Sequence, residues 1–222
     1  YMIDSDCLDR HFIVEKNTDI TTIHKKTENA EFSDDELLRN AIGSSVFECI
    51  QEKNIIFEGW LDKELFKKYT TQDDFKNIGK TFLHGISGAE ILASILILAN
   101  KKFIIVADSD KASSDKRKVF EKTYPEHIDC WLAYGDVDNS ISTLEDFVES
   151  SVIEKVIKEN GYPNFKYNNN KNAIDNIELC AKNKEEKQKI KRLIIESISK
   201  KENIKLSYAK FLKTLNEKIQ VL

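Results

Sequence analysis

The chain has 222 residues, 41% of them hydrophobic and 32% charged, with a formal net charge of -4. That is enough apolar material for one or two compact domains with a real core. Its longest apolar stretch, Ile91 to Ala99, is far too short to span a bilayer, and Tyr1-Met2-Ile3-Asp4 lacks the basic flank and apolar core of a signal peptide, so a cytoplasmic protein without membrane contact is expected.

Taken in chain order, Arg10 to Lys16 and Asp19 to Lys25 alternate as two short strands joined at Asn17-Thr18, a hairpin. Ser33-Asp34-Asp35-Glu36 is a capping box that opens a helix running to about Gln51. From Asn54 the pattern alternates. Strands are expected at Ile55 to Phe57, Thr81 to His84, Phe103 to Ala107 and Ile128 to Tyr134. Helices are expected at Leu61 to Tyr69, Ala89 to Ala99 and Ser113 to Tyr124. This alternation predicts an α/β unit, a parallel sheet with helices on both faces, whose ligands sit at the carboxyl ends of the strands. After Ser142 the expected elements are all helical: Thr143 to Asn160, Asn172 to Lys182, Lys184 to Lys200 and Ile204 to Ile219.

Charge is uneven along this order. From Ser151 onward 16 Lys or Arg stand against 9 Asp or Glu, whereas residues 1–150 hold 18 against 29. An acidic body attracts cations and a basic end can meet a polyanion, although Lys184 to Arg192 also reads as a solvated helix face. Cys7, Cys49, Cys130 and Cys180 show no CxxC pair and no histidine at ligand spacing, so reduced thiols are expected rather than a zinc site or disulfides.

The most informative residues are two apolar runs that end in carboxylates. Ile55-Ile56-Phe57 leads into Glu58-Gly59-Trp60-Leu61-Asp62, and Phe103-Ile104-Ile105-Val106-Ala107 leads into Asp108-Ser109-Asp110. Asp62 lies four residues after Glu58, one turn into a helix and able to point back toward it. Asp108 and Asp110 share a face if extended, with Ser109 pointing away. Gathering four carboxylates calls for hard cations such as Mg2+ or Mn2+. Taken singly, Glu58 and Asp62 also suit a helix N-terminus and Asp110 suits a cap. His84-Gly85-Ile86-Ser87-Gly88 is a weaker phosphate-contact candidate, and His11, His24 and His127 show no partner spacing.

The linked motifs resemble the Toprim domain of topoisomerases, primases and several nucleases, in which a glutamate follows the first strand and an Asp-x-Asp pair the third. The resemblance covers about Lys53 to Asp136. The flanks, with ATPase-like strands at residues 1–30 and a helical finish, are similar to the overcoming-lysogenisation-defect (OLD) family of ATP-dependent endonucleases. This resemblance implies three parts: the end of an ABC-type ATPase domain at 1–30, a Toprim core with its leading helix at 31–141, and a helical region completing it at 142–222. It implies two ions, Glu58 and Asp62 holding one and Asp108 and Asp110 the other. Thr143-Leu144-Glu145-Asp146 matches a further acidic segment, making Glu145 a candidate ligand, although Ser142-x-x-Glu145 also reads as a capping box. Ile204-Lys205-Leu206-Ser207-Tyr208-Ala209 matches a catalytic-lysine segment, with Lys205 rivalled by Lys200, Lys201 and Lys210.

The function so implied is two-metal hydrolysis of DNA in an ATPase-coupled nuclease, with a role in anti-phage defence, and Glu58 doubling as a general base. ATP would bind only at an ATPase domain upstream, since no Walker segment occurs in these residues. Expected partners are nucleic acid, further copies of the chain through the ATPase and helical regions, and a defence-system protein. The alternatives are an RNA or tRNA nuclease, or an assembly or effector module whose stripe Ile190, Leu193, Ile194 and Ile198 makes dimer contacts.

Overall fold

The two apolar runs become neighbouring strands. The computed structural model describes residues 12–17, 20–25, 50–71, 74–83, 85–198 and 201–222, and the chain divides into two units, Tyr1–Glu48 and Cys49–Leu222. In the first unit β1 (Phe12–Asn17) and β2 (Ile20–Lys25) pair antiparallel from Phe12 with Lys25 to Asn17 with Ile20, which is the expected hairpin. The helix expected from Ser33 falls outside the described residues except for Ile50 and Gln51, which are not helical. Cys7, Cys49, His11 and His84 also lie outside them.

In the second unit β3 (Lys53–Phe57), α1 (Trp60–Tyr69), β4 (Ile78–Phe82), α2 (Ala89–Leu98), β5 (Lys102–Ala107), α3 (Lys111–Thr123) and β6 (Trp131–Ala133) follow in turn. The four strands form one all-parallel sheet in the order β4-β3-β5-β6. The chain steps from β3 to one side and then returns to the other, so the strand order reverses between β3 and β5. Crossover helices leave a crevice at such a point, outside the carboxyl ends of the strands.

Strand periodicity sorts the core into two layers, because successive side chains point to opposite faces. Ile55, Phe57, Ile104, Val106 and Leu132 join one cluster with α1 and the helical end, while Ile56, Phe103, Ile105, Ala107 and Trp131 join another with α2 and α3. All ten are at most 1% exposed, so β3, β5 and β6 are dry on both sides at these positions. Burial of each large aliphatic or aromatic side chain there contributes roughly 1.5–3 kcal/mol.

Two strands differ from expectation. β4 begins three residues earlier, at Ile78, as an edge strand whose Gly79-Lys80 carries no apolar run. β6 is short because Pro125–Cys130 winds as a 3-10 turn before it. The expected helix from Thr143 to Asn160 is instead a 3-10 turn, Leu144–Phe147, followed by α4 (Ser150–Glu159). Its continuity is lost to a distant segment: Val148 bridges Ile204, Lys205 N donates to Phe147 O at 2.8 Å and Glu149 N to Asn203 O at 3.0 Å.

The remainder is α5 (Ala173–Glu178), α6 (Lys184–Ser197) and α7 (Leu206–Val221). Lys53 Nζ donates to the terminal carbonyl oxygens of Ile219 and Gln220, and Lys68 Nζ to those of Ile195 and Glu196. Two ammonium groups thus sit at the negative ends of helices, tying α7 to β3 and α6 to α1. Ile190, Ile194 and Ile198 are buried in the chain's own core and Leu193 is half-buried, so that stripe packs inside the molecule rather than forming a contact surface. Among the described residues no helix is long and apolar enough to cross a membrane.

Candidate active site

Glu58 and Asp108 follow adjacent parallel strands and meet directly. Glu58 N continues the ladder to Val106 O at 2.9 Å, while its Oε2 accepts from Asp108 N at 3.0 Å and from Ser113 Oγ at 2.8 Å. One carboxylate oxygen thereby locks the end of β3 to the end of β5 and the start of α3. Burial holds the Glu58 carboxyl above its ordinary range, against the two hydrogen bonds and with Asp110 adding to the rise.

Asp62 stands at the third position of α1, and its Oδ2 accepts from Gly59 N at 3.1 Å. Gly59 is extended, at φ -134 and ψ 169, so the turn does not demand glycine for its backbone angles. The demand is for space, since a Cβ there would sit 3.0 Å from Asp62 Oδ2. Asp62 Oδ1 accepts a hydrogen bond from the hydroxyl of Tyr134, the residue after β6. Burial pushes the Asp62 carboxyl up to about 7, the Tyr134 bond opposing and Glu58 and Glu145 adding.

Asp108 is half-buried as a residue, yet its carboxyl is held well above the usual range by desolvation first and then by Asp62, Glu58 and Glu145. No described residue donates a hydrogen bond to that carboxylate. Ser109 does point away: its Oγ accepts from Gly135 N at 2.6 Å, and a Cβ on Gly135 would come within 2.8 Å of that oxygen. Asp110 is exposed and caps α3, with its Oδ1 accepting from Ser113 N at 2.8 Å. It lies at the rim of the cluster, whereas Asp108 lies within it.

Glu145 enters the cluster from the helical region. The capping role in its turn belongs to the next residue, Asp146, whose oxygens accept from Ser142 N, Thr143 N and Ala173 N at 2.9, 3.0 and 2.8 Å. The Ser142-to-Glu145 capping box is therefore absent, and Glu145 is free of that duty. Its side chain is fully buried, Oε1 lies 2.9 Å from Lys191 Nζ off the direction of a hydrogen bond, and Oε2 has no hydrogen-bond partner among the described residues.

Lys205 is placed differently from expectation. It is the residue before α7, and its Nζ donates to the Asp146 carbonyl oxygen at 2.7 Å, which secures the Leu144–Phe147 turn. The ammonium that acts on the clustered carboxylates is that of Lys191, which lowers the titration of Glu58, Asp62 and Asp108 alike. Burial works against the charge of Lys191, but Glu145, Asp108 and Asp62 outweigh it and keep the group protonated. Lys191 was hidden within the apparently solvated run 184–192. Its signal was the apolar spacing, because Ile194 and Ile195, three and four residues on, are both buried and put Lys191 on the inner face of α6.

Among the described residues no three His, Cys, Asp or Glu side chains form a group that could hold a metal ion. The donor chemistry nevertheless suits a hard divalent ion: the acids that act on Asp108 are the carboxylates of Asp62, Glu58 and Glu145, and among the described residues Glu145 Oε2 is buried without a hydrogen-bond partner and the Asp108 carboxylate receives no hydrogen bond. Beside Asp108 opens a cavity of about 320 Å³ lined by Ser109, Ser113, Arg117, Gly135, Asp136 and Ser142. Arg117 closes one wall, donating from Nη1 to both Asp136 oxygens at 2.8 and 2.7 Å. A larger, shallower depression along α4 is lined by none of the clustered acids. Cys130 and Cys180 are free, buried thiols with titrations raised by desolvation. No protein-family model matches the chain, and no curated protein matches its sequence.

Proposed function

We propose that this chain is a metal-dependent nuclease of the Toprim type, hydrolysing phosphodiester bonds of DNA, and that it works with the ATPase domain of an OLD-like protein in anti-phage defence. The observation that carries this reading is Glu58 and Asp108 at the carboxyl ends of adjacent parallel strands, where the strand order reverses, with Asp62 and Glu145 beside them. The DNA substrate, the ATPase coupling and the defence role follow from the motif resemblance alone.

Glu58, Asp62, Asp108 and Glu145 are the residues that would hold Mg2+ or Mn2+, with Asp110 at the rim. The chemistry such ions supply when bound is neutralisation of charge at the phosphodiester and activation of water. The chain's own groups then have distinct tasks. Glu58 uses Oε2 for its two hydrogen bonds, which leaves Oε1 to face a ligand or accept a proton. Tyr134 and Gly59 N orient Asp62. Asp146 and Lys205 hold the turn that presents Glu145, and the cavity beside Asp108 gives a phosphodiester a path to the acids. The test is Mn2+-dependent cleavage of plasmid DNA by the wild-type chain and by Glu58→Gln and Asp108→Asn. Cleavage by the wild type and its loss in both variants is expected; undiminished cleavage by either variant would sink the reading.

A further inference from the structure

Resting on that metal-site reading, we infer that Lys191 is a tethered cation that competes with a divalent ion for Glu145. Glu145 is fully buried, and among the described residues the cation beside it is Lys191, 2.9 Å from Oε1, while its Oε2 has no hydrogen-bond partner there. A buried carboxylate needs a compensating charge, and α6 delivers it from its inner face, where Ile194 and Ile195 back the lysine stem. The positive charge of the same ammonium also lowers the titration of Asp62, Asp108 and Glu58. A cation in contact with a ligand carboxylate repels an incoming ion, so it stabilises the fold and weakens metal binding at once. The lysine side chain is 18% exposed and long, which gives it a route outward when an ion takes its place.

A positioning role makes the opposite prediction, because a lysine that merely orients Glu145 should improve metal binding. The two are separated by calorimetric titration of Mn2+ into the full chain, with thermal unfolding measured in parallel. For Lys191→Met, the metal-free unfolding midpoint should fall and Mn2+ affinity should rise about tenfold or more, while Lys191→Arg should stay within about threefold of wild type. Lys191→Met leaves Glu145 unpaired and can fail to fold, so the same substitution is also made in a Glu145→Gln background. There the repulsion between the ammonium and an ion held by the remaining acids predicts that Mn2+ binds more tightly to the double variant than to Glu145→Gln alone, and orientation predicts no difference, because the group to be oriented is gone. Weaker or unchanged affinity on loss of Lys191 in both backgrounds, with the wild type still binding Mn2+, overturns this inference and leaves the metal-site reading standing. Absence of Mn2+ binding in the wild type and in every variant overturns both.

Discussion

Two turns in this protein use the same backbone device for different ends. Gly59 to Asp62 and Thr143 to Asp146 each begin on an extended residue, at φ -134, ψ 169 and φ -135, ψ 168, and each carries a capping acid three residues on. In the first turn the capping acid itself faces the cluster, since Asp62 accepts one backbone hydrogen bond and one from Tyr134. In the second the capping acid is saturated by three backbone N–H groups, and the preceding residue, Glu145, faces the cluster with an unpaired oxygen. Capping and ligand duties are merged in one turn and divided between neighbours in the other, so substitutions should separate them.

The largest effect is expected where the first turn meets β5. Glu58→Gln or Asp108→Asn should lower Mn2+-dependent cleavage by about a thousandfold, by analogy with the loss of a preorganised group that acts on the reacting centre, while far-ultraviolet circular dichroism stays unchanged. An active Asp108→Asn variant would remove the sheet edge from the chemistry. The second turn should split. Asp146→Ala strands three backbone N–H donors, those of Thr143 and Ala173 in buried bonds, and should cost about 3 kcal/mol or more in urea unfolding. Glu145→Gln should cost clearly less stability than that while reducing Mn2+ affinity. If the two variants lose equal stability and equal affinity, the division of labour between these neighbours is wrong.

The parts legible in the sequence were those set by local composition. Dry strands flanked by carboxylates read directly as the runs 55–57 and 103–107, and the reversal of strand order then put Glu58 beside Asp108. The hairpin read equally well from alternation. What escaped was decided by distant partners. Nothing in Thr143 to Asn160 reveals that Val148 would pair with Ile204 and interrupt a helix, and nothing in Ser142-x-x-Glu145 reveals that the cap is one residue later. Lys205 matched a motif, yet its ammonium is held by a backbone carbonyl, whereas Lys191 was concealed in a run of charge whose inner face only the apolar spacing discloses.

A smaller effect tests how the first turn stores its acid. The carboxyl of Asp62 is raised from 3.8 to about 7 when folded, so between those values the folded state keeps a proton that the unfolded chain has released. Stability from this group is present below about pH 4 and is lost as pH rises toward 7, at up to about 1.4 kcal/mol per pH unit for one proton. The raised Glu58 and Asp108 carboxyls act in the same direction. Mn2+ affinity should climb over the same window, because the ion binds the deprotonated form. Urea unfolding from pH 4.5 to 7.5 should show the decline, and Asp62→Asn should flatten it; an equal slope in that variant would place the proton elsewhere.

The smallest effect belongs to Tyr134. Its hydroxyl donates to Asp62 and lowers that residue's titration, although burial dominates. Tyr134→Phe keeps the ring against Phe147 and Phe211 and removes only the donor, so it should cost about 1 kcal/mol in urea unfolding. It should also move the pH-dependent decline upward, because the ionised carboxylate has lost a partner. Among the described residues the second turn shows no counterpart: its ligand candidate, Glu145, has no neutral donor and lies against an ammonium instead. Tyr134→Phe should therefore shift the pH profile of stability while leaving the Lys191 contact intact, and Lys191→Arg, which keeps the cation beside Glu145, should leave that profile unshifted. A shift of equal size in both variants would mean that the two turns share one proton-linked network rather than supplying their acids independently.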